Sequence, residues 1–279
     1  MPDLLEESTR ARPNPRQEAS AGVRHEPTKS RWLARVPLGW IGVALLVVVW
    51  ELAPRAGLVD RFFVPPFSQV LGAWWELATN GELVKHLRAS LVRSAAGFGL
   101  ALALAIPLGV AIAWYRDVHR LLNPVLEIFR NTAALALLPV FVLILGIGET
   151  SKIAIVTFAC FFPVLLNTIS GVRSVDPLLL KSARVLGLSP SATFRKVVLP
   201  AALPTLFTGV RIAGAAAILV LIAAEMIGAT AGLGYLINYS QFNFLVPQMY
   251  AGILTTSLLG LAVNWGLVAL ERRLSSWRS

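Results

Sequence analysis

Three charged side chains lie inside or at the ends of long apolar runs and are the first candidates for chemistry: Arg130, Arg211 and Glu225. An ionisable group surrounded by hydrocarbon is costly, so it is kept where it meets an ion, a partner or a water-filled path. Arg130 and Arg211 carry the charge to draw an anion along such a path. The other use of an arginine at the end of an apolar run is to snorkel to lipid headgroups or to bond a helix C-terminus, and the spacing leaves both readings open. Glu225 precedes GATAGLG, residues 228–234. Backbone amides of such a stretch suit a carboxylate that orders an outer gate, with plain satisfied packing as the alternative.

Catalysis finds no support in the residues. No Gly-Lys dipeptide occurs, so there is no phosphate-cradling loop and any ATP must bind another subunit. The histidines, His25, His86 and His119, all fall outside the expected spans, and Cys160 is the single cysteine. A multi-cysteine metal site and an intramolecular disulfide are thereby excluded. No catalytic residue, metal or cofactor is expected.

The elements that must position these residues follow from composition. Of 279 residues, 56% are hydrophobic and 14% charged, too apolar for a soluble domain of this length; the chain reads as an all-α polytopic membrane protein. The net charge of +10 resides at the ends of apolar runs, which fits the positive-inside rule better than a nucleic-acid-binding face, so membrane lipid and not nucleic acid is the expected surrounding.

Six spans are predicted, with both termini in the cytoplasm. Residues 1–36 form a basic tail of disordered composition. A first span covers 37–53, too late and too poorly endowed with a cleavage site to be a removable leader. Residues 54–93, with paired Trp74 and Trp75, read as an external amphipathic segment. The core, 94–271, holds spans near 94–114, 125–146, 153–169, 204–227 and 248–270, and 272–279 is a cytoplasmic C-terminus. The external loop 228–247 contains no Lys or Arg.

Between the fourth and fifth spans, residues 176–204 are polar, basic and longer than a simple connection requires. Asp176 can cap a helix that Pro177 opens and Gly187 ends; Ser189 and Pro190 repeat the pattern, and Pro200 is expected to stop the second short helix. Two short helices hung between spans suggest a docking surface for another protein.

This interval resembles the cytoplasmic EAA signature of permease subunits of bacterial ABC importers. That signature runs Glu-Ala-Ala, three residues, Gly, nine residues, Ile, any residue, Leu-Pro; here Ala183, Gly187, Leu199 and Pro200 match, Val197 replaces Ile, and Lys181 and Ser182 stand where Glu and Ala are usual. The segments LALLPVFVLILGIGETSKIAIV, FFPVLLNTISGVRSVD, GVRIA, AAEMI, GLGYLI and LERRLSSW are similar, in order and spacing, to the nitrate, sulfonate and taurine branch, most of all to permeases for aliphatic sulfonates.

The resemblance implies a type I importer permease fold and a homodimer. It further implies coupling helices at 176–200 seated on a dimer of cytoplasmic ATP-binding subunits, an external substrate-binding protein, and a small organic anion as cargo. The region NYSQFNFLVPQMYAGI is also similar to permeases for thiamine-pyrimidine precursors. A self-contained secondary transporter is the rival class; it would be expected to carry inverted repeats and paired intramembrane ionisable groups, and neither is evident.

Overall fold

A computed structural model of the chain describes residues 35–274. Most of the basic tail, and residues 275–279, lie outside the described residues. Helix α1, Arg35–Arg55, is 21 residues long and apolar along almost its whole length. Among the described residues, those up to Val49 form one unit and those from Trp50 onward a second.

In the second unit come α2 (Phe67–Thr79), α3 (Glu82–Trp114), α4 (Arg116–Arg130), a 3-10 turn (Ala134–Leu137), α5 (Leu138–Leu145) and α6 (Glu149–Arg173). The short helices α7 (Pro177–Val185) and α8 (Pro190–Thr193) follow. A π-helical turn (Phe194–Val198), α9 (Leu199–Glu225), α10 (Leu233–Phe242) and α11 (Val246–Leu274) complete it. Among the described residues, four helical stretches are long and apolar enough to cross a membrane: 82–114, 149–173, 190–225 and 246–273. A fifth is the pair formed by α4 with the 3-10 turn and α5, bent by 85°.

The centre of the unit is α6, gripped between α3 and α9. On α3 the contact face is Gly97, Ala101, Ala105 and Gly109, four small residues spaced by one helical turn, and both alanines are fully buried. A Cβ on Gly97 would stand 2.7 Å from Val156 Cβ, and one on Gly109 would stand 2.8 Å from Thr168 Cβ. On the other side Gly209, Ala213 and Ala217 of α9 repeat the device. Small residues let helix backbones approach closely where lipid offers no hydrophobic drive for association. Two interhelical hydrogen bonds use this proximity: Thr157 Oγ1 donates to the Gly97 carbonyl at 3.2 Å, and Cys160 Sγ to the Ala213 carbonyl at 3.3 Å.

Three features differ from the expected helices. The helix that carries the second span is longer than the span: α3 begins at Glu82, so residues 82–93, assigned to an external segment, are its first turns. The third span is not one helix from 125 to 146. Helix α4 runs through Pro124 and ends at Arg130, where Asn131 Nδ2 and Thr132 Oγ1 donate to the carbonyls of Glu127 and Ile128 and compete with helix continuation. Pro139, lacking an N–H, helps to start a new axis instead. The 3-10 turn and α5 together reach roughly 20 Å, short of the ~30 Å hydrocarbon core.

Finally, Pro200 does not stop the second short helix. The helical path is continuous from Pro190 to Glu225, because the π turn lets Leu199 N–H donate to Phe194 O and re-routes the bonding just ahead of the proline.

Replacing Gly97 or Gly109 with Leu is expected to lower stability by about 1–3 kcal/mol, since backbone atoms and branched side chains occupy the space. Gly99, whose Cβ would meet nothing within 4 Å, should accept Leu with little change. Thermal unfolding of the detergent-solubilised variants reads the difference.

Candidate functional site

Two sites stand at opposite ends of the α6–α9 pair. At one end is the interval 176–200. Asp176 Oδ1 accepts from Leu178 N–H at 2.7 Å and Ser189 Oγ from Ala192 N–H at 3.3 Å, the N-caps of α7 and α8. Gly187 has φ of +69°, and around it Gly187 N–H donates to Arg184 O and Leu188 N–H to Ala183 O, the paired bonds of a Schellman ending. Ala183 is buried beneath this turn. Lys181 and Ser182 are exposed on α7, while Val197, Leu199 and Pro200 are half-buried at the root of α9.

The outer face of the interval is apolar and unpartnered: Val185 and Leu186 are 88% and 77% exposed, and Leu178 and Leu179 are exposed beside them. Lys181, Arg184, Arg195 and Lys196 are exposed on the same interval. The two feet of the loop are held together, since a Cβ on Gly171 of α6 would stand 2.9 Å from Ala202 O of α9. A force on the loop is therefore passed to both helices at once.

At the other end lies a charge cluster. Glu225, fully buried at the end of α9, accepts from Ser90 Oγ at 2.8 Å, from Arg93 Nη1 at 2.8 Å and from Gly234 N–H at 3.0 Å. Arg93 spends its remaining nitrogens on Glu149 at the start of α6, with Nε to Oε2 at 2.5 Å and Nη2 to Oε1 at 2.6 Å, a two-pronged ion pair. Its Nη1 also donates to Ala231 O at 2.6 Å.

The loop 228–234 is caught amide by amide: Gly232 N–H donates to His86 Nδ1 at 3.1 Å, Leu233 N–H to Ser90 Oγ at 2.8 Å, and Gly234 N–H to Glu225. Lys152 Nζ adds bonds to the carbonyls of Gly148 and Gly228. Gly232, at φ +125°, has no room for a Cβ beside the Glu225 carboxylate. The cluster thus joins α3, α6 and α9 and sets the start of α10.

The arrangement does not gather the three residues first singled out. Arg130 pairs with Glu127 of its own helix at 2.8 Å, and Arg211 lies 3.8 Å from Glu271 of α11; both arginines are exposed. Only Glu225 enters a buried site. Its partners Arg93 and Ser90, and the His86 and Glu149 that complete the cluster, were not singled out as site residues in the sequence, yet a signal was present: His86, Ser90 and Arg93 are spaced i, i+4, i+7 along one face of α3.

Because Glu225 is buried, removing only its counter-charge should be severe. Arg93→Met is expected to cost about 3–5 kcal/mol. Glu149→Gln, on a carboxylate whose side chain is 63% exposed, should cost far less. Arg93→Met combined with Glu225→Gln should recover part of the loss, which a double-mutant cycle in thermal stability measures.

The chain matches the family described as the binding-protein-dependent transport system inner membrane component over residues 105–276. A Bacillus subtilis permease protein named for aliphatic sulfonates transport is 34% identical over 95% of both chains. The taurine transport system permease protein of Escherichia coli is 36% identical, covering 89% of this chain and 93% of that one. A formylaminopyrimidine transport permease protein of Halalkalibacterium halodurans is 30% identical over 84% of this chain and 93% of its own. In fold, the chain is similar to the methionine ABC transporter MetNI in its inward-facing conformation, with a TM-score of 0.61, 20% identity, and coverage of 69% of this chain and 95% of that one. The all-α fold is thus that of a type I importer permease, and the chain belongs to the binding-protein-dependent transport system inner membrane components as the multi-pass inner-membrane permease component of an ABC transporter.

Proposed function

We propose that this permease imports a small organic anion of the sulfonate class, an aliphatic sulfonate or taurine with nitrate as a further member of the class, driven by ATP hydrolysed on separate cytoplasmic subunits. The observation that carries the reading is the loop 176–200, an exposed apolar face on two capped helices whose feet are the main crossing helices α6 and α9. Such a surface suits a groove in a cytoplasmic ATP-binding subunit, so that closure of an ATPase dimer moves α6 and α9 together. The sequence holds no Gly-Lys dipeptide of a phosphate-cradling loop, which supports hydrolysis on that partner.

The remaining assignments follow from this orientation. The loop, the N-terminal tail and the C-terminus lie in the cytoplasm, while the lysine- and arginine-free stretch 228–247 faces outward toward a substrate-binding protein. Two copies of the chain form the path between them. The sulfonate class is favoured by the relatives named for aliphatic sulfonates and taurine, at 34–36% identity. A second cargo, a pyrimidine precursor, is favoured by the formylaminopyrimidine relative.

Gly187→Val tests the coupling assignment. A β-branched residue at positive φ is unfavourable by about 1–2 kcal/mol, enough to distort the turn locally while leaving the spans intact. The expected result is normal membrane insertion with ATP hydrolysis uncoupled from uptake; normal uptake would sink the assignment. Growth of the host strain and its deletion mutant on taurine, on an alkanesulfonate, or with a formylaminopyrimidine supplement separates the cargoes.

A further inference from the structure

Two adjoining cavities lie where α3 and α6 end against the coupling loop. The first, of about 510 Å³, is lined by Trp114 from α3, Arg173 from α6, Arg184 from α7, and Pro190 and Thr193 from α8. The second, of about 350 Å³, is lined by Pro107, Val110 and Ala111 of α3 together with Phe194. Trp114 and Pro190 border both, and the Trp114 and Phe194 rings meet edge-on at 5.8 Å.

We propose that this pair of cavities binds an anionic phospholipid, its phosphate between Arg173 and Arg184 and one acyl chain along α3. Neither arginine has a carboxylate partner among the described residues, so the first cavity offers two uncompensated guanidinium groups. Guanidinium matches phosphate oxygens in geometry as well as charge. The second cavity is almost wholly apolar, and α3 continues its surface away from the loop through exposed Leu108, Leu104 and Leu100, a track that suits hydrocarbon.

A small diffusible anion would use only the first cavity; a ligand with a charged head and a long tail uses both. Basic pockets where spans meet the cytoplasmic surface are suited to anionic headgroups. One wall of the head site belongs to the spans and the other to the loop. A bound lipid therefore ties the loop to the spans, whatever protein docks on its outer face.

Native mass spectrometry of the detergent-purified chain, titrated with phosphatidylglycerol and with phosphatidylcholine, tests the assignment. The wild type is expected to bind phosphatidylglycerol at least about tenfold more tightly, at roughly a few-fold per arginine. Arg173→Gln with Arg184→Gln should abolish the preference, while Arg195→Gln with Lys196→Gln, on the same loop but outside the cavities, should retain it. Ala111→Trp, which fills the apolar cavity and leaves both arginines in place, should weaken phosphatidylglycerol binding and so tests the site should the arginine variant fail to fold. Equal binding of the two lipids by the wild type, a preference that survives in the arginine variant, or hexanesulfonate binding as tightly as phosphatidylglycerol would overturn the proposal. Leu178→Ser with Leu179→Ser, on the exposed outer face and outside both cavities, should keep the lipid preference even where uptake is uncoupled, which separates this site from the coupling reading.

Discussion

Everything in this molecule depends on how closely three backbones approach. Inside a bilayer, helices gain no hydrophobic free energy by meeting, so association rests on dispersion contacts and a few interhelical hydrogen bonds. Here α3 presents Gly97, Ala101, Ala105 and Gly109 to one side of α6, and α9 presents Gly209, Ala213 and Ala217 to the other. The resulting three-helix slab fixes what occurs at both of its ends. At one end it brings Arg93, Glu149 and Glu225 together; at the other it closes the feet of the loop 176–200 through Gly171 and Ala202.

The two ends differ in the type of interaction that holds them. The charge cluster is dry on the Glu225 side and wet on the Glu149 side, so Arg93 sits on a gradient of solvation with a carboxylate at each extreme. Its rigidity comes from the backbone amides it recruits: three successive N–H groups of the 232–234 stretch are satisfied by side chains of α3 and α9. The loop 176–200 is instead self-contained. Its caps and its Schellman turn satisfy its own backbone, and its apolar side chains are left exposed.

That contrast explains what was legible in the sequence. Asp176–Pro177, Gly187 and Ser189–Pro190 could be read because capping is local, decided by residues within a few positions of each other. The apolar runs could be read because hydrocarbon imposes length and composition directly. The break after Arg130 was hidden: an uninterrupted apolar stretch has the same composition whether straight or bent by 85°. The side-chain partners of Glu225 were hidden because Ser90 and Arg93 are 135 and 132 positions away, and only tertiary packing makes them neighbours. Pro200 misled for a related reason. A proline ends a helix when its missing N–H leaves a carbonyl unsatisfied, and here the preceding turn has already changed its bonding pattern.

The π turn at Phe194–Val198 also sets an angular phase. A π turn carries about one residue more than an α turn, so each residue beyond it is rotated by about 100° relative to an uninterrupted helix begun at Pro190. That single extra residue sets the phase between α8, at the foot of the rod, and the stripe of Gly209, Ala213 and Ala217 that meets α6. The helix from Pro190 to Glu225 is thus one continuous rod with two faces, set in register by a defect that lies at the base of the loop.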